Sequence, residues 1–194
     1  MTRVQVRPTA TTRKRRRRRR IITLSVYVVI VFALAWYFES QGTTTVIFVR
    51  HADIDRAMAE SPDTPLNPAG FARAEKLADF LDNVDVVAGV NAIYVSPAKR
   101  TQQTAAPLAK RLDVEPEAAD HYDVVGFMNT VLFDHKREIV LVVSHSDIIA
   151  PLVEELHGSK NIAEFAPDEY NRMYIVTIPW WGKVKTLEVP YTEW

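Results

Sequence analysis

Three stretches of this chain place polar, chemically capable residues directly after β-like apolar runs. Thr45-Val-Ile-Phe-Val49 leads into Arg50-His51, Asn91-Ala-Ile-Tyr-Val95 into Ser96-Pro-Ala-Lys-Arg100, and Glu138-Ile-Val-Leu-Val-Val143 into Ser144-His-Ser-Asp147. Two imidazoles and two guanidinium groups in one crevice suit a phosphoryl group. The guanidinium forks bond its oxygens and neutralise its charge, while a neutral imidazole can attack phosphorus and hold it as a nitrogen-linked intermediate. No Gly-rich phosphate cradle is present to take over that role. His51-x-Asp53 and His145-x-Asp147 leave a hydrolytic metal site open as an alternative, although Arg50 and Arg100 in the same crevice would repel a dication.

For these residues to meet, the three runs must be neighbouring parallel strands, because ligands of open α/β sheets bind at the carboxyl edge. Their β-branched, near-continuous apolar character fits strands covered on both faces, and helical patterns alternate with them. Asn67-Pro68 gives an N-cap with Pro at the first helical position, followed by a stripe of Phe71, Ala74, Leu77, Ala78 and Leu81. Ser96-Pro97 repeats the device before Ala98, Ala105, Leu108 and Leu112, with a kink or break expected at Pro107. Ser146 or Asp147 is expected to cap a third helix that ends near Gly158. Residues 173–177 and 184–189 read as a β-hairpin around Pro179-Trp-Trp-Gly182, with the two tryptophans expected to pack at its tip and membrane contact as the lesser alternative. His121, His135 and His157 sit in polar or helix-end contexts and read as surface residues.

At these residues the chain resembles the histidine phosphatase superfamily, from Val46 to the C-terminus. Val46-Ile-Phe-Val-Arg-His-Ala-Asp53 is similar to the signature strand and turn, Leu66-Asn-Pro-Ala-Gly70 to the opening of the first helix, and Ser96-Pro-Ala-Lys-Arg-Thr-Gln-Gln-Thr104 to the segment supplying a second arginine. Val142-Val-Ser-His145 resembles the strand end with the second histidine, and Asp168-Glu-Tyr170 before a hairpin resembles the end of small bacterial members.

The resemblance implies a three-layer, phosphoglycerate mutase-like α/β fold with a mostly parallel central sheet. It also implies a metal-independent phosphatase that needs no cofactor and acts on a phosphorylated small molecule or phosphoprotein. In that scheme His51 is phosphorylated, Arg50, Arg100 and His145 bind and stabilise the phosphoryl group, and water releases phosphate. Mutase-like members use a glutamate as proton donor; here Asp53, Asp120 and Asp123 are the candidates. A leaving group such as the imidazole of phosphohistidine needs that acid less than an alkyl phosphate does. A catalytically silent phosphate-binding domain remains the alternative from another class, with a phosphomutase and a metal-dependent hydrolase behind it.

The chain has 194 residues, 47% of them apolar, and no net charge. That average hides a division. Residues 1–20 carry ten basic residues and no acid, leaving 14 basic against 24 acidic in residues 21–194. Next comes Ile21 to Phe38, 18 residues without a charge, about 27 Å as a helix and just enough to cross a bilayer. Trp36 and Tyr37 close it, and the arginines should hold its start on the cytoplasmic side. The expected organisation is a basic cytoplasmic stub at 1–20, a transmembrane helix at 21–38, a linker at 39–44 and a phosphatase-like domain at 45–194. This makes a single-pass protein of the inner or plasma membrane with an extracytoplasmic (periplasmic) catalytic domain. Ala33-Leu-Ala35 also has the form of a signal-peptidase site. Beside a membrane span, the arginine run reads as a topology and anionic-lipid signal, not a nucleic-acid site. With no cysteine, disulfides, thiolate metal sites and cysteine nucleophiles are excluded.

Overall fold

The apolar runs form strands of one sheet in the computed structural model, which describes residues 10–39, 42–55, 61, 64–83, 89–163 and 165–191. In chain order the elements are α1 (Ala10–Glu39), β1 (Thr44–Arg50), α2 (Pro68–Asn83), β2 (Ala92–Val95), α3 (Lys99–Leu112), β3 (Glu117–Ala118), α4 (Val124–Asp134), β4 (Ile139–Ser144), α5 (Ser146–Glu155), β5 (Arg172–Ile178) and β6 (Lys185–Pro190). The described chain divides into two compact units, Met1–Gln41 and Gly42–Trp194.

The first unit contains α1, whose helical backbone starts at Ala10 and so includes the arginine run. Arg15–Tyr37 is long and apolar enough to cross a membrane, and its apolar side chains, from Ile21 to Tyr37, are exposed.

In the second unit the six strands lie in the order β3-β2-β4-β1-β5-β6. The sheet is mixed, a correction to the mostly parallel expectation: β3, β2, β4 and β1 pair in parallel, whereas β5 is antiparallel to both β1 and β6. The short connection between β5 and β6 permits only a hairpin return, so these two strands must be antiparallel. Gly182, at φ 117°, turns that hairpin in a conformation other residues avoid. Successive residues of β1 serve opposite faces. Val46 and Phe48 pack with Met128, Val131, Ile149 and Leu152 of α4 and α5, while Ile47 and Val49 pack with Leu77, Ala78, Leu108 and Ala109 of α2 and α3. Two helical layers thus cover the central strands of the sheet, and strands buried on both sides must be apolar at every position.

The Asn67 cap is as expected: its Oδ1 accepts from the Gly70 amide at 2.8 Å, a bond contributing about 1 kcal/mol. Several local expectations are corrected. Phe71 leaves the core stripe and is 47% exposed. Ala98, not Ser96, is the N-cap of α3, because the Ser96 hydroxyl is taken up by other partners. Pro107 does not break α3; Thr104, Ala105, Leu108 and Ala109 are buried around it, and this packing outweighs a lost hydrogen bond on a half-exposed side of the helix. His145 occupies the N-cap position of α5, with Ser146 and Asp147 inside the first turn. The left-handed residue after that helix is His157, at φ 56°, one position before Gly158. The helix α4 and the two-residue strand β3 arise where no element was expected. Asp123 caps α4 by accepting from the Gly126 amide, and Phe127, Met128 and Val131 are its buried face.

Candidate active site

Strand register carries the chemical residues to one edge. Arg50 of β1 stands level with Ser144 of β4, and Val95 of β2 with Val143 of β4, so the residues that follow emerge side by side. The His51 amide extends the ladder one step by donating to the Ser144 carbonyl at 2.9 Å. The outcome is a cleft of about 450 Å³ lined by Arg50, His51, Arg100 and His145, together with Tyr122, Asp147 and Tyr170. The rings of His51 and His145 lie 5.5 Å apart, edge to face.

Both imidazoles are buried, and their hydrogen bonds fix their tautomers. A carbonyl only accepts, so the 2.9 Å contact between His51 Nδ1 and the Ala52 oxygen places the proton on Nδ1 and the lone pair on Nε2. Arg100 donates to His145 Nδ1 at 3.4 Å. His145 Nε2 therefore carries the proton and donates to Ser96 Oγ at 2.9 Å. Thr101 donates its own hydroxyl proton to the Ala98 carbonyl at 2.7 Å, which leaves Ser96 to donate to Thr101 Oγ1 at 2.9 Å. The chain of donors runs from Arg100 through His145 and Ser96 to the start of α3, fixing the ring of His145. Burial holds both rings neutral: it pushes the His51 imidazole down to about 3, against the Ala52 bond and helped by His145 and Arg100. It pushes His145 to about 4, assisted by Arg100.

Arg50 is held more tightly than Arg100. Its Nη1 donates to the Ala166 and Glu169 carbonyls at 2.9 Å each, and its Nη2 to the Pro167 carbonyl at 3.3 Å. Its guanidinium also lies over the Tyr170 ring, 4.4 Å from the centroid. Arg50 thereby clamps residues 166–169 against the cleft while bringing its charge there. Arg100 donates to the Ser61 carbonyl at 3.0 Å, which ties it to the 54–65 stretch, of which residues 56–60, 62 and 63 lie outside the described residues.

The acids named from sequence lie elsewhere than in the lining of this cleft. The Asp53 carboxylate takes a fork from Arg73. A Cβ at Gly70 would collide with the Asp53 carbonyl, so only glycine lets α2 approach this turn. Asp120 accepts from the Tyr122 amide at 2.9 Å, and Asp123 is the α4 cap. Among the described residues Asp147 is the carboxylate that lines the cleft, where it accepts the Tyr122 hydroxyl at 3.0 Å. Tyr122 in turn stacks over His145, centroids 6.5 Å apart.

His121, expected at the surface, is 1% exposed. It shares a 2.8 Å hydrogen bond with Ser144 Oγ and stacks on Phe127 at 4.4 Å, and burial lowers its pKa to about 4. The reason is that α4, which was not anticipated, supplies the wall behind it. His135 instead pairs with Glu138 at 2.7 Å, half-buried, and His157 is exposed.

Sequence reasoning missed Ser96 and Tyr122 as parts of the site. The signal for Tyr122 was its position just after β3, a fourth parallel strand opening onto the same edge, but two residues are too few to read as a strand. Chemically, the cleft offers one neutral nucleophilic nitrogen, two guanidinium groups and a second oriented imidazole. Among the described residues no cluster of three or more His, Asp or Glu is placed to hold a metal ion.

Residues 46–122 match the family model described as Histidine phosphatase superfamily (branch 1), a stretch that includes Arg50, His51 and Arg100 but stops short of His145. No curated protein matches the chain. Among solved structures, the protein histidine phosphatase SixA complexed with tungstate superposes with a TM-score of 0.61 at 21% identity, over 75% of this chain and 96% of its own. A mycobacterial glucosyl-3-phosphoglycerate phosphatase with inorganic phosphate gives 0.57 at 14%, over 76% and 96%. A phosphoserine phosphatase mutant from Entamoeba histolytica in complex with phosphoserine gives 0.54 at 13%, over 70% and 94%. At these identities the likeness is one of fold.

Proposed function

We propose that this chain is a member of the histidine phosphatase superfamily, whose family model its residues 46–122 match, and that it hydrolyses a phosphomonoester or phosphohistidine through a phosphorylated His51. The observation that carries the reading is the tautomer of His51. With its proton on Nδ1 and held by a backbone carbonyl, the neutral ring presents Nε2 as a nucleophile in the cleft without prior deprotonation. Nε2 attacks phosphorus, a P–N bond forms, and the bond to the leaving group breaks. Arg50, Arg100 and His145 stabilise the charge spread over the phosphoryl oxygens, as positioned cations and donors do in phosphoryl transfer. Water then attacks phosphorus, phosphate departs, and His51 regains its lone pair.

In this mechanism Asp53, Asp120 and Asp123 serve structure, since their carboxylates are committed to Arg73, to the Tyr122 amide and to the α4 cap. The leaving group takes its proton from solvent in the open cleft. That favours a group which departs easily, such as the imidazole of phosphohistidine, and the protein histidine phosphatase with the same fold is consistent with it. No step requires a metal ion, because the guanidinium groups supply the positive charge. α1 anchors the enzyme in the membrane with the basic stub cytoplasmic and the catalytic unit outside.

The test uses the full chain with p-nitrophenyl phosphate and with a phosphohistidine peptide. EDTA-insensitive turnover of either, lost in His51→Ala, is expected, together with an acid-labile, alkali-stable phosphoenzyme. Turnover surviving in His51→Ala, or abolished by EDTA, overturns the mechanism, and phosphate binding without turnover leaves a silent binding domain. Protease digestion of the catalytic unit from the cytoplasmic face of sealed vesicles would refute the topology.

A further inference from the structure

The turn joining β5 to β6 carries Trp180 and Trp181, which are 64% and 86% exposed, a correction to the packed tip expected from sequence. Each indole offers about 150–250 Å² of largely apolar surface. Register locates the turn: Ile178 pairs with Thr44, so the indoles lie at the end of the sheet where β1 begins. The cleft lies at the other end of β1, a seven-residue strand, roughly 20 Å away at about 3.3 Å per residue.

The turn between α4 and β4 occupies the same end. The Arg137 amide donates to Thr44 Oγ1 at 2.9 Å, and the Thr45 amide donates to the Glu138 carbonyl at 2.9 Å. This turn presents Phe133, 74% exposed, with the Lys136 ammonium 5.0 Å from its ring centroid. Lys183 and Lys185, both exposed, follow the indoles. The acids next to these groups in sequence are Asp134 and Glu138, of which Glu138 is taken up by His135. The residues that follow α5 meet Thr186, beside Lys185, where the Ser159 amide donates to the Thr186 hydroxyl. The exposed Glu154 and Glu155 at the end of that helix therefore also lie toward this end. In a stretch of chain that is acidic overall, one end of the sheet thus carries Lys136, Arg137, Lys183 and Lys185 together with three exposed aromatic rings.

Exposed indole and phenyl rings flanked by lysine and arginine match the chemistry of a bilayer interface: the rings lie at headgroup level and the cations meet anionic lipid. Chain length favours lipid over a protein partner. Only four residues separate Glu39, the end of α1, from Thr44, and five peptide steps extend at most about 18 Å. Wherever the apolar stretch Arg15–Tyr37 crosses a bilayer, this short link limits how far Thr44 can lie from the end of the span.

We infer that Trp180, Trp181, Phe133 and their neighbouring lysines and arginine form a second, interfacial contact with an anionic bilayer, which holds the cleft at the far end of the sheet toward aqueous solvent. This rests on the anchoring reading of α1. Its consequence is that substrates reach His51 from the water side, as soluble phosphorylated molecules or protein segments, not as headgroups of lipids in the same membrane.

The chain has no cysteine, so a single introduced cysteine can be spin-labelled without background. The full chain bearing Trp181→Cys is reconstituted in phosphatidylcholine vesicles containing phosphatidylglycerol and labelled with a nitroxide. Its collision with oxygen and with a water-soluble nickel chelate is compared with that of Lys99→Cys, an exposed position at the cleft edge. Several-fold preference for oxygen at 181 and for nickel at 99 is expected, with the preference at 181 weakened in the Lys136→Glu/Lys183→Glu background. Flotation of the same samples separates the two readings. Protein that floats while the label at 181 is as open to nickel as the label at 99 overturns the interfacial contact alone. Protein that does not float overturns the anchor and the contact together, and a label immobilised at 181 without gain of oxygen contact points instead to a protein partner.

Discussion

The two ends of the same sheet treat costly groups in opposite ways. At the carboxyl edge, Arg50, His51, Ser96 and His145 are polar and buried, and each is held by backbone or by a neighbour. At the other edge, Trp180, Trp181 and Phe133 are apolar and exposed. Burial at the first end keeps the imidazoles neutral; the second end presents apolar surface to its surroundings. A domain of this size can hold both because β1 separates them, so the electrostatics of the cleft are set by the groups that line it and not by the lysines at the far end.

The contrast breaks most severely if removal of the proposed nucleophile leaves activity intact. His51→Ala should lower kcat by at least about 10³-fold with little change in Tm, whereas Trp181→Ala should leave turnover of a soluble substrate unchanged; equal effects would dissolve the distinction between the ends. Arg100→Ala is expected to cost about 10²-fold in kcat/KM, the scale of one positioned donor to a developing oxyanion. Ser96→Ala leaves the His145 Nε2 proton without its acceptor and should cost about tenfold, through kcat more than KM, because it frees the ring without removing it. A loss confined to KM would show that Ser96 shapes binding instead.

The pH dependence sharpens the same point. His51, at about 3, and His145, at about 4, stay neutral across ordinary pH, so kcat/KM should show no histidine limb near pH 6.5 and should fall only as pH drops toward those values. A limb near 6.5 beyond that of the substrate's own phosphate, whose second ionisation lies at about 6, would mean that the rings are solvated. Stability follows from the same shifts. The unfolded chain binds more protons than the folded one between pH 6.5 and about 4, so the contribution of His51, His121 and His145 is complete above pH 6.5 and is lost as pH falls through that window. His121→Phe should flatten the dependence of Tm on pH over this range, and an unchanged slope would show that burial of His121 contributes nothing to it. The smallest effect expected is a few-fold loss in Tyr122→Phe, which removes one exposed hydrogen bond to Asp147.

The main strands, the α2 cap at Asn67 and the stretch long enough to span a membrane were legible because each depends on local pattern. Continuous apolar runs are what double-sided burial demands, and an Asn-Pro step needs no distant partner. The polar residues at three strand ends were legible as a group because parallel topology has one carboxyl edge. What failed to read were features decided by distant segments: Pro107 within an unbroken α3, His121 buried behind α4, and the antiparallel β5 beside β1.

By itself, the sequence determined which residues could do chemistry here, how they follow the strands, and how charge divides between the first 20 residues and the rest. The tertiary structure decided which nitrogen of His51 carries the proton, which acids line the cleft, and that the tryptophans face outward. The physical reason is range. Apolar periodicity and capping act over a few residues, whereas a tautomer or a pKa is set by whatever the fold brings within hydrogen-bonding distance, such as the Ala52 carbonyl for His51 and Ser96 for His145, 49 positions away.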